Sequence, residues 1–149
     1  MTFWLWGILV FLLDRGTKYL VLANMELGES IPVIPDFFHI TYILNPGAAF
    51  GIFAQKTWFF VVGTIIIITV IIYLNYTLGQ KNRYISFILG LVAGGAAGNL
   101  LDRLQTGLVI DFLDFRGIWP YIFNVADSAI VLGMIFLSWQ IIRSEKLKD

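Results

Sequence analysis

Asp111 and Asp127 are the side chains in this sequence best placed to do chemistry, because neither has an oppositely charged neighbour at helical spacing to neutralise it. Two carboxylates brought together cannot easily both ionise, so such a pair keeps a proton: one member serves as base and the other as acid. The base can activate a water while the acid polarises a peptide carbonyl, which hydrolyses an amide without a covalent intermediate. The plainer reading is a pair of interfacial carboxylates that cap helices, Asp127 suiting a first turn where negative charge complements the helix dipole. Other polar residues show positional logic of their own. Asp14 and Lys18 are spaced i, i+4, the spacing of an intrahelical ion pair. Asn99 and Arg103 repeat that spacing with Asp102 beside them, and a polar helix end that snorkels to an interface would look the same. Asn124 lies three residues before Asp127 on the same helix face, where it can cap the helix, hold a carboxylate, or both. Asn45 opens the turn signal Asn45-Pro46-Gly47. The sequence contains no cysteine, which removes thiol catalysis and thiolate metal sites, and its single histidine, His39, cannot build a metal cluster alone. His39 reads as an ordinary strand residue, and the chemistry calls for neither metal nor cofactor.

The elements that must hold these groups are membrane spans. Of the 149 residues 58% are hydrophobic and 13% charged, and the mean hydropathy is +0.82, far outside the range of a soluble domain. Basic and acidic residues balance, so nucleic acid is not a partner. Crossing a hydrocarbon core takes about 20 apolar residues, and spans are predicted near 3–23, 58–78, 84–104 and 123–142. The second carries no charge and reads as scaffold. The first is not a secretory signal peptide, since it lacks a basic start and an A-x-A site and carries Asp14, Arg15 and Lys18. Gly90, Gly94 and Gly98 make small-xxx-small steps, a helix-packing pattern. The connection 24–57 holds the β-type run Phe37 to Leu44, with Pro32 and Pro35 fitting an edge. The expected fold is a single α-helical integral membrane domain over 1–149, with four transmembrane helices and a small extracytosolic β-element within 24–57.

Orientation follows from the basic flanks. Lys81 and Arg83, and then Arg143, Lys146 and Lys148, mark the cytoplasmic side; the connections 24–57 and 105–122, richer in acidic residues, face outward. Both termini are then cytoplasmic, and Trp4, Trp6 and Trp139 on one side and Trp58 and Trp119 on the other resemble two aromatic belts. This order of spans gathers Asp14, Lys18, Asn99, Asp102, Arg103, Asn124 and Asp127 in the outer leaflet, with Asp111 contributed by the short outer loop between the last two spans. An ionisable group inside a span costs roughly 2.5–3.5 kcal/mol, so such groups are paired, functional, or both. A transporter is the main rival reading, but the inner halves of the last two spans offer few polar steps and no inverted repeat is visible. A non-catalytic scaffold would leave the outer aspartates unexplained.

At these residues the chain resembles the lipoprotein signal peptidases, or signal peptidase II. The resemblance is carried by motifs in order along nearly the whole chain: Asp14-Arg15-Gly16-Thr17-Lys18, Asn45-Pro46-Gly47-Ala48-Ala49-Phe50-Gly51, Gly94 through Arg103, Val109-Ile110-Asp111-Phe112-Leu113-Asp114-Phe115, and Phe123-Asn124-Val125-Ala126-Asp127-Ser128. It implies a four-span fold in the bacterial cytoplasmic (inner) membrane with an aspartate dyad at Asp111 and Asp127 near the extracytosolic face. Asp14, Lys18, Asn45, Asn99, Arg103 and Asn124 would bind substrate or support the site. The implied substrate is a diacylglyceryl-modified prolipoprotein, met among membrane lipid and cut just before its lipidated cysteine; the implied inhibitor is the cyclic peptide antibiotic globomycin. Arg15 departs from the glutamine common at that place, which bears on local packing. A lipid-anchored substrate keeps its scissile bond near the outer surface, the depth at which the charged groups converge.

Overall fold

The computed structural model describes residues 1–47 and 57–145. Ala48 to Gly51 of the second motif, and Lys146 and Lys148 of the charge pattern, lie outside the described residues. The chain runs through α1 (Thr2–Asn24), β1 (Ser30–Ile34), β2 (Phe38–Asn45), α2 (Thr57–Leu74), a π-helical turn (Asn75–Gly79), α3 (Arg83–Thr106), β3 (Val109–Phe115) and α4 (Val125–Glu145). Three segments, Thr57–Gly79, Arg83–Thr106 and Val125–Arg143, are long and apolar enough to cross a membrane. The 23 residues of α1 have the length, about 34 Å at helical rise, but carry three charged side chains, Asp14, Arg15 and Lys18.

The helices differ in what surrounds them. In α3, 61% of the apolar window is buried inside the protein, against 11% in α2 and 17% in α4, so α3 is the central post. Its glycines make that possible. A Cβ on Gly90 would lie 2.6 Å from the Phe3 carbonyl oxygen of α1, and one on Gly95 would lie 2.5 Å from the Ala126 carbonyl oxygen of α4. Bare backbone on two faces of α3 therefore lets α1 and α4 approach closely, as expected where packing rather than the hydrophobic effect joins helices. Phe3, Ile71, Leu89, Val92 and Ala93 fill the space between them. The outward faces of α2 and α4 expose Phe59, Ile66, Val70, Val131 and Ile135, which suits lipid.

The sheet is antiparallel in the order β1-β2-β3. It corrects the expected β-element, which was confined to 24–57: the third strand is Val109–Phe115, so Asp111 sits on a strand and not in a loop. Pro32 falls on the edge strand β1, as a residue without a backbone donor must. Gly107 ends α3 at φ 79, its N–H bonding the Arg103 carbonyl, and this left-handed cap turns the chain straight into β3. Ile40 of β2 faces Leu113 of β3 and Ile43 faces Asp111, so Thr41 and Tyr42 stand opposite the single Phe112 and β2 is bulged just beside Asp111. The N–H groups of Phe112 and Leu113 both turn to the Phe123 carbonyl, at 3.0 and 2.7 Å. That bridge lays the segment entering α4 along β3. Val21, Tyr42, Ile110 and Phe112 then seal the sheet onto the helices.

Candidate active site

At the sheet end of the helices, charged and amide side chains from α1, β2, α3, β3 and the start of α4 interlock. Lys18 of α1 is fully buried, its Nζ 2.9 Å from Asp14 Oδ2 and 2.7 Å from Asp102 Oδ2, and it donates to Asn99 Oδ1 at 2.9 Å. The contact with Asn99 is a hydrogen bond and the two carboxylates are ion-pair partners, Asp14 Oδ2 being buried with no hydrogen-bond donor among the described residues. Asp14 also accepts from the Ala126 N–H through Oδ1, at 3.1 Å, tying α1 to the first turn of α4. Asp102 accepts from the Ile110 N–H at 3.3 Å and from Arg15 through its other oxygen, Oδ1. A buried ion pair earns its place only where such extra hydrogen bonds satisfy the remaining lone pairs.

Asn99 passes this order on. With Lys18 and Asn124 both donating to its Oδ1, at 2.9 and 3.1 Å, its amide is fixed and its Nδ2 points to Asp127 Oδ1 at 2.7 Å. Asn124 is the second hub. Its Nδ2 donates to Asp111 Oδ1 at 2.7 Å and to the Ile110 carbonyl at 3.2 Å. Its Oδ1 accepts from the Asp127 N–H at 2.9 Å, while its own N–H donates to Asp127 Oδ2 at 3.3 Å. That reciprocal exchange is a capping box, which starts α4. Asn124 both caps the helix and holds carboxylates, so the alternatives offered by its sequence position are not exclusive.

Asn45, at the end of β2, behaves likewise. Its Oδ1 accepts from the Gly47 N–H at 3.0 Å, closing the turn, and its Nδ2 donates to Asp111 Oδ2 at 2.9 Å. Arg103 reaches the same turn, with one guanidinium nitrogen 3.4 Å from the Gly47 carbonyl and another 3.3 Å from the Asn99 carbonyl, and its guanidinium stacks 5.1 Å from the Phe60 ring centre. The structure therefore brings all eight of the expected site residues, Asp14, Lys18, Asn45, Asn99, Arg103, Asp111, Asn124 and Asp127, into one continuous network. What the sequence reading missed is Asp102 and Arg15. Asp102 was read as part of a snorkelling helix end but is 2% exposed and bridges α1 to α3. The signal was available: two cations on one span require an anion at matching depth on another.

Asp111 and Asp127 line one cavity of about 1180 Å³, together with Asn45, Asn99 and Arg103. Its other walls are largely apolar, including Ile67 of α2, Val92 and Ala96 of α3, and Val131 of α4. Burial, reinforced by the neighbouring Asp127 carboxylate, pushes the Asp111 carboxyl up from 3.8 to about 7. A folded state that holds a proton more tightly than the unfolded chain loses stability as pH rises between those two values. Thermal unfolding in detergent should accordingly show a melting temperature that declines from pH 5 to pH 7.5, with a slope worth on the order of 1–3 kcal/mol in all. Asp111→Asn should flatten that decline; an unchanged slope would mean that other groups set it. Among the described residues no cluster of three or more His, Asp or Glu side chains is arranged to hold a metal ion.

Known proteins match this chain along most of its length. The model of the family described as signal peptidase (SPase) II matches residues 7–143. The lipoprotein signal peptidase of Desulfitobacterium hafniense is 50% identical over 134 residues, 90% of this chain and 88% of its own. That of Pelotomaculum thermopropionicum is 51% identical over 133 residues, covering 89% and 86%. A bacterial membrane enzyme solved by the in meso method at 2.3 Å superposes with a TM-score of 0.92 at 36% identity, covering 97% of this chain and 90% of that one. A second, at 1.9 Å, gives 0.84 at 38% identity, covering 92% and 90%. With a family match and relatives of this similarity spanning the helices, the sheet and the polar network, this chain belongs to the signal peptidase II family of membrane aspartic peptidases.

Proposed function

We propose that this protein removes the signal peptide from diacylglyceryl-modified prolipoproteins, cutting just before the lipidated cysteine with a water activated by Asp111 and Asp127. The observation that carries this reading is the shared hold of Asn124 on both carboxylates at one cavity, its Nδ2 on Asp111 and its backbone N–H on Asp127. The pair holds a single proton, so one carboxylate draws the proton from water while the other supplies one to the scissile carbonyl. Asn99, Asn45 and Asn124 keep the carboxylates in orientation, Lys18 and Asp14 support Asn99 and the start of α4, and Arg103 lies where a substrate carbonyl or lipid headgroup would meet the cavity. The apolar walls suit acyl chains and an apolar signal segment.

The topology belongs to the same reading. α1 is the first of four spans, made tolerable in lipid because its charges face α3 and α4 rather than the bilayer. The positions of Lys81, Arg83 and Arg143 support a reading in which the opposite ends of the helices lie in the cytoplasm of a bacterium, and the sheet and the dyad at the outer face of its cytoplasmic membrane. Surrounding membrane lipid and globomycin would compete for the same apolar cavity.

A purified-protein assay tests this. A synthetic lipobox peptide with a diacylglyceryl-cysteine should be cut before that cysteine, globomycin should block the cut, and the same peptide without lipid should be cut at least about 10²-fold more slowly, because the acyl chains supply binding energy that positions the bond. Equal cleavage of both peptides, or of neither, would overturn the assignment of substrate.

A further inference from the structure

We propose that Arg15 is a positioning residue of this site, setting its charge and geometry from outside the cavity through the chain Asp102, Lys18, Asn99, Asp127. The inference rests on the dyad reading given above. Arg15 does not line the cavity; its guanidinium pairs with Asp102 Oδ1, and its side chain is 24% exposed. Asp102 is itself buried, and its second oxygen lies 2.7 Å from Lys18 Nζ. Lys18 in turn donates to Asn99, whose Nδ2 donates to Asp127. Each contact in the chain connects to the next without a gap.

What Arg15 does follows from charge. The charged groups of the network that reaches the pair are Asp14, Arg15 and Lys18 from α1 and Asp102 and Arg103 from α3, and the amides that bond the pair, Asn45, Asn99 and Asn124, are neutral. Counting the pair itself gives four carboxylates against three cations, so the cluster is neutral when it holds one proton, the state that acid–base hydrolysis requires. Without Arg15 the cluster gains a full negative charge. Asp102 then draws Lys18 harder, at the expense of its bond to Asn99, and the amide that fixes Asp127 loses its charged donor. Added negative charge also makes Asp111, on β3, hold its proton to higher pH.

Arg15→Gln keeps a donor for Asp102 but removes the charge, and Arg15→Met, which removes both, is the second variant. Each should move the bell-shaped pH profile of kcat/KM upward by about half to one pH unit, the size of an unscreened charge roughly 10 Å away. KM should stay within about twofold, since Arg15 does not touch the cavity, and Arg15→Lys should keep the original profile. A second readout needs no substrate: the infrared carboxyl band of 13C-aspartate-labelled protein, assigned with Asp111→Asn, should titrate higher by the same amount in both charge-removing variants. An unmoved band in either folded variant, or a loss of thermal stability alone, would overturn the role given to Arg15. A shifted band in protein that cleaves no lipopeptide at any pH would instead overturn the peptidase reading and leave the charge coupling standing.

Discussion

Asp111→Asn and Asp127→Asn should each lower the cleavage rate by about 10³–10⁴-fold, the contribution of a positioned proton-transfer group, while the protein stays folded. For Asp127 the structure separates this from the capping alternative, because its two oxygens do different things. Oδ2 receives the Asn124 N–H and closes the cap; Oδ1 receives Asn99. An asparagine at 127 still accepts that N–H through its amide oxygen, so the cap survives, while its Nδ2 meets the Asn99 Nδ2 and that second hydrogen bond is lost. What it lacks is the capacity to take a proton from water. A residue that mattered only as a cap would therefore lose little activity here, and one that works on water would lose nearly all. The double variant should be no slower than the worse single one, since members of one catalytic unit are not additive. Cleavage of the lipidated peptide by each variant, beside thermal unfolding in the same detergent, decides the matter. Single variants within tenfold of the unaltered protein would remove the pair from the chemistry.

How far the sequence disclosed this arrangement depends on whether the controlling contacts are local. The apolar run of α2 and the small-residue rows of α3 read directly, because lipid exposure and close packing act through each residue's own side chain. The partnership of Asn124 with Asp127 also read directly, since a helix turn fixes it. The strand holding Asp111 did not. Val109–Phe115 is too short between two helices to announce itself, and it becomes a strand only because β2, far away in sequence, pairs with one edge and Phe123 bridges the other. Arg15 and Asp102 were legible only by setting one helix against another. Their meaning is an ion pair between α1 and α3, and neither helix taken alone shows that the other supplies the countercharge. α1 is the extreme case: its length read directly, but where its charges point did not, since Asp14 and Lys18 are turned inward only by packing against α3 and α4.

Lys18→Met should destabilise the protein by about 3–5 kcal/mol, the usual cost of removing one partner from a buried ion pair. The reason is geometric. Lys18 is fully buried with Asp14 on one side and Asp102 on the other, so its removal leaves two carboxylates facing each other without the charge that separates them. Neutralising one of the two should then stabilise the variant, because it removes the repulsion. Asp14→Asn in the same chain should have this effect at neutral pH: its amide oxygen can still accept the Ala126 N–H, and Asp102 keeps Arg15. Activity should not return with stability. Asn99 would accept only from Asn124, its amide would no longer be fixed by an ammonium, and the donor to Asp127 would be free to turn away. A misplacement of that kind costs about 10²-fold in rate. Denaturation and lipopeptide cleavage measured on the single and double variants separate the two roles. If the double variant recovered both, Lys18 would be only a countercharge; if it recovered stability alone, the ammonium is part of what aims the carboxylate at its water.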